Sequence, residues 1–66
     1  MKVRYICGIL KKEVAIESDF VPLVGDRVSL IGCQGVPNEI QMSNWEVVCR
    51  SYSLLNDSIL INLKRE

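Results

Sequence analysis

The chain reads as an all-β domain, a five-stranded antiparallel small barrel. Three observations predict this. Apolar residues recur with a period close to two rather than 3.6, the patterned runs are short, and turn-forming residues separate them at hairpin length. With 66 residues, the chain has room for a single domain spanning 1–66. A chain this short hides only about 60% of the surface that its unfolded form exposes. Yet 48% of its residues are hydrophobic and 24% are charged. That composition argues against a disordered chain and leaves apolar surface for association.

The first strand is predicted over residues 2–9, with Val3, Tyr5 and Cys7 on one face and Arg4 and Ile6 on the other. The second covers 13–17, where Val14 and Ile16 alternate with Glu13, Ala15 and Glu17 as in a half-buried strand. The short link Leu10-Lys11-Lys12 makes these two a hairpin. Ser18 and Asp19 end the second strand with side chains that favour turns.

The stretch FVPLVGDRVSL, residues 20–30, follows. Pro22 has a fixed φ and no N–H, which suits a turn or a strand edge, and it pushes Val21 toward an extended conformation. Gly25 supplies positive φ, and Asp26 is expected to hydrogen-bond nearby backbone and hold the turn. Alternation then restarts as a third strand over 26–31, with Val28 and Leu30 inward and Arg27 and Ser29 outward.

Gly32, Gly35, Pro37 and Asn38 interrupt regular structure. A single helical turn is expected at 38–42, with Asn38 as its N-cap. The fourth strand, 44–53, places Trp45, Val47 and Cys49 on one face and Glu46, Val48, Arg50 and Tyr52 on the other. Residues 54–57 form a turn on the chemistry of Asn56-Asp57. The fifth strand, 58–64, sets Ile59, Ile61 and Leu63 against Leu60 and Asn62. Closing these strands into a barrel of curved, steeply packed sheet would hide edges that otherwise invite aggregation.

The order of features resembles the SH3-like small barrels. Pro22-Leu23-Val24-Gly25-Asp26-Arg27-Val28 reads P-x-x-G-D-x-V, Trp45 to Arg50 reads W-x-V-x-x-R, and Ile59 to Leu63 reads I-x-I-x-L. Across most of its length the chain is most similar to short bacterial and phage-type proteins of that shape, most of them uncharacterised. The resemblance implies a binding module rather than an enzyme. A peptide-binding SH3 domain carries an aromatic-rich A-L-Y-D-Y-type segment. This chain lacks one, and its aromatics are Tyr5, Phe20, Trp45 and Tyr52, so proline-peptide binding does not carry over.

Charge and chemistry narrow the function classes. Eight basic and eight acidic residues cancel, whereas nucleic-acid binders usually carry a basic excess. The pairs Lys11-Lys12 and Lys64-Arg65 each have glutamate beside them. No histidine is present to act as a base near neutral pH. Cys7, Cys33 and Cys49 are odd in number and widely spaced, which fits reduced thiols in a cytoplasmic setting better than disulfides or a zinc site. Met1-Lys2-Val3-Arg4 lacks the apolar region of a secretory signal, and no apolar run reaches the ~18 residues that suggest a membrane span. Cys7 and Cys49 occupy strand positions that favour burial, while Cys33, in the long loop, is the thiol expected to be accessible to reagents, without an activating partner for catalysis. Glu13 and Glu17 read as solvated strand charges rather than an acid–base pair. Gly32-Cys33-Gln34-Gly35 lacks the lysine and following helix of a phosphate loop.

The expected function is therefore a small non-enzymatic protein-interaction module, without metal or cofactor, that self-associates. Val48 and Leu60 face away from Val47, Ile59 and Ile61, so the last two strands are apolar on both sides; Ile6 and Leu10 extend that outer surface. The candidate contact surface comprises Arg27, Trp45, Val48, Arg50, Tyr52 and Leu60. Trp45 is expected in the core or at its rim in preference to an exposed stacking platform. The alternative is a nucleic-acid-binding barrel with a basic face of Arg4, Arg27, Arg50 and Lys64.

Overall fold

The computed structural model describes residues 2–66. Five strands, β1 (Lys2–Cys7), β2 (Lys12–Glu17), β3 (Arg27–Val28), β4 (Trp45–Ser53) and β5 (Ser58–Arg65), form one sheet in the order β2-β1-β5-β4-β3. The sheet curls into a half-barrel. Its side-chain alternation follows the predicted period of two through β1, β2 and β5. Val3, Tyr5 and Cys7 of β1, Val14 of β2, and Ile61 and Leu63 of β5 are all buried.

Two features depart from a closed antiparallel barrel. The pairing of β1 with β5 is parallel, matching Val3 with Ile59, Tyr5 with Ile61 and Cys7 with Leu63, so the sheet is mixed. Parallel neighbours need a long crossover, and the whole stretch from β2 through β4 supplies it. The second departure is an open seam. Strands β2 and β3 are the two edges and do not pair with each other. Strand β3 has two residues instead of the predicted span 26–31. From Ser29 the chain bends, the Cys33 amide donates to the Leu30 carbonyl at 3.2 Å, and Leu30 drops into the core.

The segment between β3 and β4 covers the hollow side of the sheet with Leu30, Val36 and Ile40. Its helical turn α1 (Asn38–Gln41) forms as predicted, but Pro37 is the N-cap residue and Asn38 the first helical residue, with no side-chain cap bond. The Pro37 carbonyl accepts from the amides of Ile40 and Gln41 at 3.0 and 3.1 Å. The turn's purpose in packing is Ile40, its buried residue.

Strand β1 stops at Cys7, short of Ile9. Gly8–Leu10 winds as a 3₁₀ turn, and Lys11 adopts φ 53° with its amide donating to the Gly8 carbonyl. The turn in FVPLVGDRVSL is built as its residues suggest. The Asp26 carboxylate accepts from the Leu23 amide at 2.9 Å, and Gly25 sits at φ 95°. Strand β4 grips this turn from both sides: Gly25 N–H donates to the Val47 carbonyl and Val47 N–H to the Asp26 carbonyl, each at 2.9 Å.

A bulge between Val47 and Cys49 changes the faces of β4. Val47 pairs with Leu63, but Cys49 pairs with Asn62, Arg50 with Ile61 and Tyr52 with Ile59. One extra residue moves every later side chain to the opposite face. Cys49 is therefore exposed rather than buried, and Arg50 and Tyr52 share the inner face of β5 rather than its outer one.

Candidate functional site

The open seam leaves a cleft of about 530 Å³. Ile16 of β2 and Val28 of β3 contribute from the two edges, with Phe20 and Pro22 from the connecting segment. Tyr5 and Leu30, both buried, and the half-buried Cys33 complete its apolar lining, while Ser18, Asp26, Arg27 and Ser29 supply its polar atoms. Burial raises the Tyr5 hydroxyl above the ordinary tyrosine range, and the nearby Cys33 thiol adds to the effect. The phenol therefore stays protonated. Ser18 holds the entry of the connecting segment, its hydroxyl donating to the Phe20 carbonyl at 2.8 Å.

A second apolar feature is convex. The β4–β5 hairpin continues past the Tyr52–Ile59 pair to a tip where Leu54 and Leu55 are 88% and 93% exposed. The Tyr52 hydroxyl donates to the Asp57 carboxylate, which raises the Tyr52 pKa, with burial and the Asp57 charge adding to it. Asp57 itself takes the left-handed conformation, φ 49°. The tip is thus shaped by specific contacts at its base.

The six candidate contact residues do not form one patch. Trp45 is fully buried, and its indole N–H donates to the Ile40 carbonyl at 2.9 Å. It belongs to the core and leaves the candidate surface, because the covering segment closes over it. Arg27 lies at the cleft and pairs with Glu66 at 3.1 Å. Val48, at the bulge, is 46% exposed. Leu60 is half-buried on the outer face, in register with Arg4 and Ser51. Arg50 and Tyr52 lie beside Ile59 in a smaller groove of about 270 Å³.

The proposed basic face is also divided. Nη2 of Arg4 reaches both carboxylate oxygens of Glu13 at 2.7 Å. Glu46 stands between Arg27 and Lys64 in one cross-strand row. Arg50 shares the face of Ile61, opposite the face that carries Arg4 beside Leu60.

The remaining candidates have structural surroundings. Cys7 is buried, and desolvation raises its thiol pKa against a smaller opposing influence of Arg65. The glycine-rich loop is wrapped around the Gln41 carboxamide. This group accepts from the Gly32 amide at 3.0 Å and donates to the carbonyls of Cys33 and Val36 at 3.3 and 2.7 Å. Gln41 escaped the sequence reading because one glutamine in a short helical turn carries no pattern. The tip leucines escaped it too, although two leucines inside a predicted turn are a legible anomaly.

Fold and surface together define a small all-β half-barrel with a concave apolar cleft and a convex apolar tip. Compared with known proteins, the chain matches no family model, no curated protein and no solved structure. Among the described residues, no helix is long and apolar enough to cross a membrane.

Proposed function

We propose that this protein is a non-enzymatic interaction module of the SH3-like barrel type that binds protein, including a second copy of itself. The observation that supports this reading is the exposure of Leu54 and Leu55 at the hairpin tip. Burying one such side chain is worth about 1.5–3 kcal/mol, so the pair carries a driving force for association. Val48 at the bulge and the rim of the seam cleft add apolar surface, and zero net charge leaves little long-range repulsion between copies. The three thiols and the family resemblance favour a reducing bacterial or phage-infected cytoplasm as its setting, with no cofactor.

Sedimentation equilibrium tests the reading. The expected result is a weight-average mass that rises with concentration above the 7.5 kDa of one chain. A single 7.5 kDa species up to millimolar concentration overturns it. The nucleic-acid alternative is the weaker reading because Arg4 and Arg27 are each engaged by a carboxylate.

A further inference from the structure

We propose that the seam cleft is a binding site for a small, neutral and mainly apolar molecule that presents a carbonyl-type acceptor to the hydroxyl of Tyr5. The site is separate from the hairpin tip on which the association reading stands, so either can fail alone.

Tyr5 carries the assignment. It is 6% exposed and shares the buried face of β1 with Val3 and Cys7. Its hydroxyl makes no hydrogen bond to any described residue, yet the oxygen is not sealed from the surface. The side chain lines the cleft together with Cys33, which is close enough to raise its pKa. The phenol oxygen is therefore at the floor of the cleft, with its donor unused. Burial keeps it protonated, so it offers its O–H to an acceptor. A polar group this buried normally has a partner, and an acceptor brought in from outside supplies one.

The other oxygen- and nitrogen-bearing side chains of the lining are engaged. The Ser18 hydroxyl bonds both backbone groups of Phe20, and the Ser29 hydroxyl accepts from the Ile31 amide at 3.4 Å. Arg27 is taken by Glu66, and the Asp26 carboxylate by the Leu23 amide. Neither charge is free to receive an ionic group, and burying an unpaired charge is strongly unfavourable. The wall is otherwise apolar, with Ile16, Val28 and Leu30 offering surface to a ring or alkyl group. The hollow of about 530 Å³ falls within the ~300–1,000 Å³ of pockets that enclose small ligands. An apolar side chain of a protein partner would enter with its methyl or ring end first and leave the phenol unmet.

Four probes of similar size test this: acetophenone, which has a carbonyl, ethylbenzene, which has none, and the ions benzoate and benzylammonium. Acetophenone is expected to give saturable shifts at the amides of Ile16, Val28 and Leu30. Tyr5→Phe should weaken acetophenone about three- to tenfold, the worth of one hydrogen bond, and leave ethylbenzene unchanged, which shows the cleft intact. In the wild type, acetophenone should also move the carbon resonance of the Tyr5 ring atom that bears the hydroxyl, whereas ethylbenzene should not. This second measurement needs no variant. Acetophenone that moves nothing in the cleft overturns the site and leaves the hollow to a protein side chain. A Tyr5→Phe change that alters both neutral probes equally, or neither, overturns the role of the phenol. Benzoate or benzylammonium binding as tightly as acetophenone overturns the preference for a neutral ligand. None of these results changes the mass that sedimentation reads, so the association reading is judged apart.

Discussion

The indole of Trp45 donates a hydrogen bond to the Ile40 carbonyl at 2.9 Å, joining the first residue of β4 to the helical turn that covers the core. The Arg65 guanidinium lies 5.5 Å from the centre of the same ring. One side chain thus connects the central sheet, its covering segment and the end of β5. Truncation to Trp45→Ala is expected to cost about 3–5 kcal/mol. Small domains hold only about 5–15 kcal/mol in total, so this variant should be largely unfolded by urea titration. Trp45→Phe fills more of the space but leaves the Ile40 carbonyl without its donor, and should lose about 1–3 kcal/mol from that unmet bond.

Thiol labelling should report the bulge. Cys49 is exposed, Cys33 half-buried and Cys7 buried. A thiol-specific chromogen is expected to modify Cys49 first, Cys33 more slowly, and Cys7 only on unfolding. Peptide mapping after partial labelling identifies the order. Fast labelling of Cys7 with protection of Cys49 would place the bulge elsewhere.

Stability should fall on the alkaline side. Burial raises the pKa of both Tyr5 and Cys7, which means the fold prefers their neutral forms. Such groups contribute stability that is complete below their unfolded pKa values, ~8.5 for thiols and ~10 for phenols, and is lost as pH rises through the higher folded values. The urea midpoint is therefore expected to drop from the thiol range upward. Tyr5→Phe should reduce the later part of that drop, to which Tyr52 also contributes through its bond to Asp57, and midpoints measured across this range decide the matter.

Gly25 stands where a side chain is strained. At φ 95°, Gly25→Ala is expected to destabilise by about 1–2 kcal/mol. The reason is backbone strain, since a Cβ at this position meets no atom within 4 Å. Thermal or urea melts of this variant beside Gly8→Ala, where the space is also open and φ is not positive, separate conformation from crowding.

The alternating residues of β1, β2 and β5 made their inner faces legible, because burial imposes the period directly. The FVPLVGDRVSL turn was legible for a similar reason: proline, glycine and aspartate each have a local task there. The bulge was not. Glu46-Val47-Val48-Cys49-Arg50 alternates as well with an extra residue as without one, and the choice is made by cross-strand partners far away in the chain. For that reason Cys49, Arg50 and Tyr52 were placed on the wrong faces. The direction of the β1–β5 pairing was hidden too, because strand patterns look alike run either way. Trp45 was legible as core material by its size alone, whereas the exposed tip and open seam emerge only once the strands are assembled.

Strand β5 is the middle of the sheet and the last of the five to leave the ribosome. Until it emerges, β1 and β2 have only each other, and an isolated hairpin is at best marginally stable in water. Strands β3 and β4 wait on the far side with no bridge between the halves. Chains grow at about 5–20 residues per second, so a nascent copy spends seconds with its future core exposed. A chain lacking residues 58–65 has two pieces of sheet with no strand to join them, so closure of the core waits for β5.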